Sequence, residues 1–313
     1  MPLSEPVDLP GPTDLRRHRD PPESRNLPGG DCAARYRAPV ESASLGYRTS
    51  LALLRAGGSV VEDRGDHLVV RTPSNPEFWW GNFLLLERVP SPAACDGWLA
   101  RFETAFPGAG HVAIGFDGPT ALEAPEEDLS WFEDHGCAVT ADVVLTASAL
   151  AETGRRNETA TYRPLRSDDD WAASIDLRLR CRDEGLDPED YHRFAAARAQ
   201  EHRRLVAQGH GEWFGAFVDE TLVSQMGLFR TEPGLARFQS VETDPAFRRR
   251  GLASSLLHHA GAWGLASLGV ATLVIVADPE YHAIALYRKA GFVDAARQFG
   301  VELHRAGGPA AGC

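Results

Sequence analysis

The sequence predicts a mixed α/β protein built from two domains of similar size. Three observations support this. The chain has 313 residues, about twice the usual size of a single domain core. Hydrophobic residues make up 43% and charged residues 24%, which leaves enough apolar surface for two cores and argues against wholesale disorder. Short apolar runs suited to strands alternate with helical patterns, in a similar order in each half.

Taken in order, residues 1–38 carry repeated Pro, Gly and charge with no apolar periodicity, as in Leu9-Pro10-Gly11-Pro12, and read as a flexible tail. The first domain is expected over 39–150. Within it, 78–86 reads as a strand, 93–106 as a helix and 111–116 as another strand. The aromatic run Phe78-Trp79-Trp80 suits either core packing or the wall of an acceptor site. Residues 151–159, with Glu152-Thr153-Gly154-Arg155-Arg156, read as a polar linker.

The second domain is expected over 160–305, ahead of a short tail at 306–313. A strand at 161–165 precedes a helix from about Asp169. Asp187-Pro188-Glu189-Asp190 then supplies a cap acceptor, a proline at the first helical position and acids in the first turn, opening a helix that runs toward Gly209. Strands at 213–218 and 222–230 flank Asp219-Glu220 as a hairpin. A strand at 236–243, a helix at 252–268, a buried strand at 271–277, a short helix at 282–290 and a last strand at 296–303 complete the pattern.

Composition narrows the function. The net charge of −12 disfavours sequence-independent nucleic-acid binding, which needs basic surface, and favours cationic acceptors. The longest apolar stretch, 271–277, is far too short to span a membrane, and the start has no basic and apolar leader, so a cytoplasmic location is expected. Cys32, Cys95, Cys137, Cys181 and Cys313 are widely spaced, which suits reduced thiols better than disulfides or a zinc site. Lys289 is the sole lysine, a bias that suits a GC-rich bacterial genome.

The chemistry concentrates at Arg248-Arg249-Arg250-Gly251-Leu252-Ala253-Ser254. Here a strand ending at Thr243 turns into a helix. Gly251 lets an anion approach the backbone, the first helical turn offers unpaired N–H groups, and three arginines add positive charge. That combination suits a diphosphate.

This loop, followed about thirty residues later by Ala283-Ile284-Ala285-Leu286-Tyr287-Arg288-Lys289-Ala290-Gly291-Phe292, resembles the GNAT superfamily of acyl-CoA-dependent N-acyltransferases. The family's Q/R-x-x-G-x-G/A loop matches at Arg248, Gly251 and Ala253. Its A-x-x-L-Y-x-x-x-G-F segment matches at Ala283, Leu286, Tyr287, Gly291 and Phe292. Glu280 departs from the family's frequent Asn.

The resemblance implies direct acyl transfer from acetyl-CoA, as cosubstrate and without a metal, to an amine on a small molecule or a protein. It implies that Val241, Glu242 and Thr243 hold the pantetheine and thioester carbonyl, with Arg248 to Ser254 on the phosphates. It also implies Tyr287 as the acid for the departing thiolate, although an aromatic packing role stays open. Glu242 is the candidate base, unless strand alternation turns it away, with Gln239 and Ser240 lining a water path as the alternative. Tyr281 and His282 sit near the expected cleft, whereas His258 and His259 suit packing or solvent.

The N-terminal half reads as a degenerate copy, giving a tandem GNAT-like fold. Trp131 to Cys137 parallels Leu286 to Phe292, but Phe132 replaces the tyrosine and Glu87-Arg88-Val89-Pro90 replaces the glycine loop. Two functions follow: an N-acetyltransferase, or a catalytically silent acyl-CoA-binding regulatory module.

Overall fold

In a computed structural model, the described residues are Ser42, 44–117, 129–151, 156–182 and 187–304. The expected tails, and the part of the linker at 152–155, lie outside them. Among the described residues, eleven strands join in one sheet. The N-terminal half contributes β1 (Val60–Asp63), β2 (His67–Arg71), β3 (Phe83–Leu86), β4 (His111–Phe116) and β5 (Ala138–Ala147). The C-terminal half contributes β6 (Thr161–Pro164), β7 (Gly211–Val218), β8 (Thr221–Glu232), β9 (Leu235–Thr243), β10 (Thr272–Ala277) and β11 (Val293–His304). Helices α1 (Leu45–Ala56), α2 (Pro92–Ala105), α3 (Ser130–Asp134), α4 (Asp168–Cys181), α5 (Pro188–Ala207), α6 (Leu252–Ser267) and α7 (Ala283–Lys289) cover its faces. No helix among the described residues is long and apolar enough to cross a membrane.

The strand order is β1-β2-β3-β4-β11-β5-β10-β9-β8-β7-β6, so the last strand of each half is exchanged. β5 pairs antiparallel with β10 from Val143↔Ala277 to Ala147↔Leu273, and β11 pairs antiparallel with β4 from Phe116↔Phe299 to His111↔His304. Strand alternation sends the side chains the same way. Val143, Leu145 and Ala147 of β5 enter the core formed with Leu256, Leu273 and Phe292 of the C-terminal half. Phe299 and Val301 of β11 enter the N-terminal core with Phe102 and Phe132. Each half therefore completes the other's sheet, and the described residues cluster as one unit.

Local chemistry accounts for the elements that position the site. Asp187 accepts hydrogen bonds from the amides of Glu189 and Asp190 and so starts α5. Asp219 and Glu220, at φ 46° and 61°, make the two-residue turn whose left-handed residues match strand twist. In the N-terminal half the strand expected over 78–86 is shorter. Trp79–Gly81 forms a 3₁₀ turn and only Phe83–Leu86 is strand. The cause is Asn82, whose side-chain amide donates to the carbonyls of Asn75 and Phe78, both at 2.9 Å, and holds the chain in a turn. Trp79 stacks on His111 at 5.2 Å and is buried, so it belongs to the core. α1, β1 and β2 have no counterpart in the sequence reading. α1 buries Gly46, Tyr47 and Thr49 beside its leucines.

Candidate active site

The site arises where two parallel strands part. β9 and β10 pair only at Leu235↔Thr272, Ala236↔Leu273 and Arg237↔Val274, and from Phe238 to Thr243 β9 runs on without β10. A bulge sharpens the divergence. Between the pairs Gly227↔Gln239 and Gln225↔Glu242, β9 spends three steps against two on β8, and Ser240 takes up φ 47°, the usual geometry of one inserted residue.

A cavity of about 670 Å³ opens at this divergence. It brings together Val241, Glu242 and Thr243 from β9, then Arg248, Arg249, Gly251, Leu252, Ala253 and Ser254 from the turn into α6, and Tyr287 from α7. Tyr281 and His282 also line it, as do Cys181, Arg182 and Tyr191 from α4 and α5. Of the cofactor-binding and catalytic residues selected from sequence, Arg250 is the one absent from the lining. Its guanidinium donates to the carbonyl of Ala246 at 2.9 Å and lies 4.6 Å above the Phe247 ring, so it braces the turn from outside. Gln239 lines a separate small cavity beside Arg198, Glu201 and His202, and Ser240 forms the bulge.

The turn into α6 is built to receive an anion. Asp244 accepts from the amide of Ala246 and is held by Arg180 at 2.7 Å. Arg249 and Gly251 then adopt left-handed φ of 60° and 77°. Gly251 becomes the N-cap of α6 with no side-chain cap, so the first amides of the helix stay available. A Cβ at Gly251 would find no atom nearer than 3.9 Å, on Asn157; the approach to the backbone is open. This geometry and the adjoining Arg248 and Arg249 fit a pyrophosphate.

Tyr287 is buried. Burial, and then Tyr281, push its phenol above the ordinary range, so the hydroxyl keeps its proton at neutral pH. Glu242 does not point away from the site. One of its oxygens meets Arg178 at 3.0 Å and the other accepts from the Gln225 amide at 2.6 Å. Gln225 in turn accepts from the Ser174 hydroxyl and the Trp213 indole. The Cys181 thiol, in the same cavity, is pushed up to about 12 by burial and then by Glu242, which leaves it a poor nucleophile. Glu280 donates its amide to Asp278 at 2.8 Å, so a carboxylate two residues upstream supports the turn before α7.

Residues 171–292 match the model of the acetyltransferase (GNAT) family. The C-terminal half carries a GNAT acetyltransferase domain. Solved structures extend the likeness in fold across both halves. A conserved protein of unknown function from Staphylococcus epidermidis is 12% identical, covers 80% of this chain and 94% of its own, and superposes with a TM-score of 0.60. A GCN5-related N-acetyltransferase from Kribbella flavida is 16% identical over 85% of this chain and 98% of its own, with a TM-score of 0.55. A putative GNAT-family acetyltransferase from Novosphingobium aromaticivorans is 18% identical over 82% and 96%, with a TM-score of 0.50. At such identities the likeness is one of fold alone. No curated protein sequence matches the chain.

In the N-terminal half the corresponding parallel strands stay together. β3 and β4 pair from Leu84↔Ile114 to Leu86↔Phe116, and the amide of Asp117 still donates to Leu86 at 2.7 Å. Asp117 also accepts from the amide of Ser44 at 2.8 Å, so the chain entering α1 ties down the strand end. Phe132 is fully buried against Phe116. Arg178, and Arg182 and Tyr191 of the lining, are not among the residues selected from sequence. Arg178 lies in a run with Arg180 and Arg182, yet it is buried and charge-paired to Glu242.

Proposed function

We propose that the GNAT domain is an N-acetyltransferase that moves an acyl group from acetyl-CoA directly to a primary amine within a ternary complex. The observation that carries this is the convergence of β9's end, the α6 turn and Tyr287 on one cavity. A binding module needs only the turn, whereas a phenol in the same cavity adds a hydroxyl able to meet the departing sulfur.

In this reading the amides at the start of α6, with Arg248 and Arg249, hold the phosphates by charge-assisted hydrogen bonds. Backbone groups of Val241 to Thr243, freed from β10 by the splay, align the pantetheine and face the thioester carbonyl, where a fixed N–H stabilises developing negative charge. Holding both reactants in line supplies much of the acceleration. Tyr287 donates its phenolic proton to the sulfur of the departing thiolate. Glu242, fixed by Arg178 and Gln225, presents a carboxylate to the incoming ammonium and receives the proton it sheds, directly or through water. The acceptor is a small molecule or protein bearing an amine. Nucleic acid and membrane are disfavoured as partners by the charge of −12 and the short apolar runs. The N-terminal half, with β3 and β4 zipped together, has lost cofactor binding and serves to complete the shared sheet.

The test is acetyl-CoA turnover by the full chain against polyamines, aminoglycosides, amino acids and peptides, detecting free CoA thiol. Acceptor-dependent, saturable thiol release is expected from at least one class. Tight acetyl-CoA binding without release from any amine would make the protein a regulatory acyl-CoA-binding module instead.

A further inference from the structure

The cavity where β9 leaves β10 is lined from both faces of the sheet, and Arg182 lines it on the face away from the phosphate turn. This guanidinium makes no salt bridge among the described residues, and its Nε is buried with no hydrogen-bond acceptor. We infer that the acyl acceptor is a free amino acid, held with its carboxylate on Arg182 and its amine toward Glu242. The inference rests on the acetyltransferase reading above and names the substrate class of that site.

Packing assigns the two faces. Along β7 and β8, Phe214, Ala216, Val223 and Leu228 turn into the core with Leu252 and Leu256 of α6. Trp213, Phe217, Leu222 and Phe229 of the same strands turn into the core with Trp171 and Leu177 of α4 and Leu205 of α5. The helix behind the phosphate turn therefore covers one face, and α4 and α5 cover the other. Glu242 belongs to the second face, because Arg178 of α4 meets one of its oxygens at 3.0 Å. Arg182, at the C-cap of α4, follows Arg178 by four residues, about 6 Å along the axis and on the same side of the helix. Where β9 has left β10 the sheet no longer divides the faces, so a cofactor resting on α6 and an acceptor resting under α4 and α5 meet at the thioester.

Charge selects the acceptor. Glu242 already has Arg178 as its counterion, whereas the Nη1 of Arg182 donates only to the carbonyl of Leu179, at 2.9 Å. That bond fixes the guanidinium against the end of α4 and leaves the Nε without an acceptor, a state that buried donors rarely keep. A carboxylate supplies what is missing: one negative charge, and two oxygens that match the planar guanidinium fork. An amine with no carboxylate leaves Arg182 unmatched, and a polyamine adds positive charge beside it. A zwitterion meets both needs, with its ammonium toward Glu242 and its carboxylate toward Arg182.

Anchoring the carboxylate also fixes the amine in line with the thioester, which is where positioning contributes to rate. The transfer forms the amide N–C bond and breaks the thioester C–S bond. Of the two protons the ammonium loses, one ends on the CoA sulfur and the other leaves to solvent. The product nitrogen is neutral and loses its attraction to Glu242, so the N-acetylated amino acid is held by its carboxylate alone.

The experiment measures kcat/KM of the full chain with acetyl-CoA for a panel of L-amino acids and for their α-amides, which keep the amine and side chain and lack the carboxylate. Wild type and Arg182→Gln are compared, with acetyl-CoA affinity read by calorimetry. The wild type is expected to favour at least one acid over its amide by about tenfold or more, the scale of one charge-assisted hydrogen bond. Arg182→Gln is expected to lose that preference through a raised KM for the acid, with acetyl-CoA affinity unchanged. Amides or other amines acetylated as well as the acids, a preference that survives the substitution, or weakened acetyl-CoA binding in the variant would overturn the assignment and leave the acetyltransferase reading standing. No thiol release with any amine would overturn both.

Discussion

Replacing Gly251 separates the stability of the phosphate turn from its affinity for an anion. At φ 77° any Cβ costs about 1–2 kcal/mol of backbone strain. Because the nearest atom would be 3.9 Å away, strain is the whole cost of Gly251→Ala. A domain of this size loses about 2–4 °C of Tm per kcal/mol, so the alanine variant should melt roughly 2–8 °C lower. Gly251→Asp carries similar strain, but an aspartate at the N-cap regains about 1 kcal/mol by accepting from helix amides, so its Tm should lie closer to wild type. Binding should follow the opposite order. A carboxylate about 5 Å from a phosphate repels it by about 3 kcal/mol at an effective dielectric of 20, or on the order of 10²-fold in Kd. The assays are thermal unfolding and acetyl-CoA calorimetry at fixed ionic strength. A folded Gly251→Asp protein with unchanged acetyl-CoA affinity would refute the assignment of this turn to the phosphates.

Tyr287→Phe keeps the ring and removes the donor; kcat should fall on the order of 10²-fold while acetyl-CoA affinity holds, and an unchanged kcat would reduce Tyr287 to packing. Asp142 is raised to about 6, by burial and then by Asp278. Its folded value lies above its unfolded value of about 3.9, so the folded state retains the proton between those values. The resulting stability is present at low pH and is lost as pH rises from about 4 to 6. Asp142→Asn should therefore stabilise the protein at pH 7 by about 2 kcal/mol relative to its effect at pH 4; urea unfolding that shows the same difference at both pH values would contradict this. Residues 152–313 expressed alone lack β5, which leaves β10 with an unpaired edge and β11 without either neighbour. This fragment should be insoluble or unfolded and should recover when residues 39–151 are supplied in trans, as read by solubility and circular dichroism.

The features legible in the sequence are those written locally. The turn from Thr243 to Ser254 carries its chemistry in consecutive residues, so glycine, arginines and helix start were visible together. The caps of α5 and the hairpin at Asp219-Glu220 were visible for the same reason. The exchange of β5 and β11 was not, because it depends on pairing between strands more than a hundred residues apart, and both strands show the same alternation whichever half they join. The state of Glu242 was equally hidden. Alternation left its direction open, and only the fold brings buried Arg178 and Gln225 to its two oxygens. Arg250, one residue from the glycine, read as a phosphate ligand because sequence adjacency does not show that its guanidinium turns back onto Ala246 and Phe247.

The proposed function requires acyl-CoA to bind where β9 leaves β10 and nowhere in the N-terminal half. Hydrogen exchange of the full chain with and without acetyl-CoA tests this directly. Added protection is expected at Val241 to Thr243 and across Arg248 to Ser254, and none from Leu86 to Ser91. Protection centred on Leu86 to Ser91, or no change around Gly251 at saturating acetyl-CoA, would contradict it.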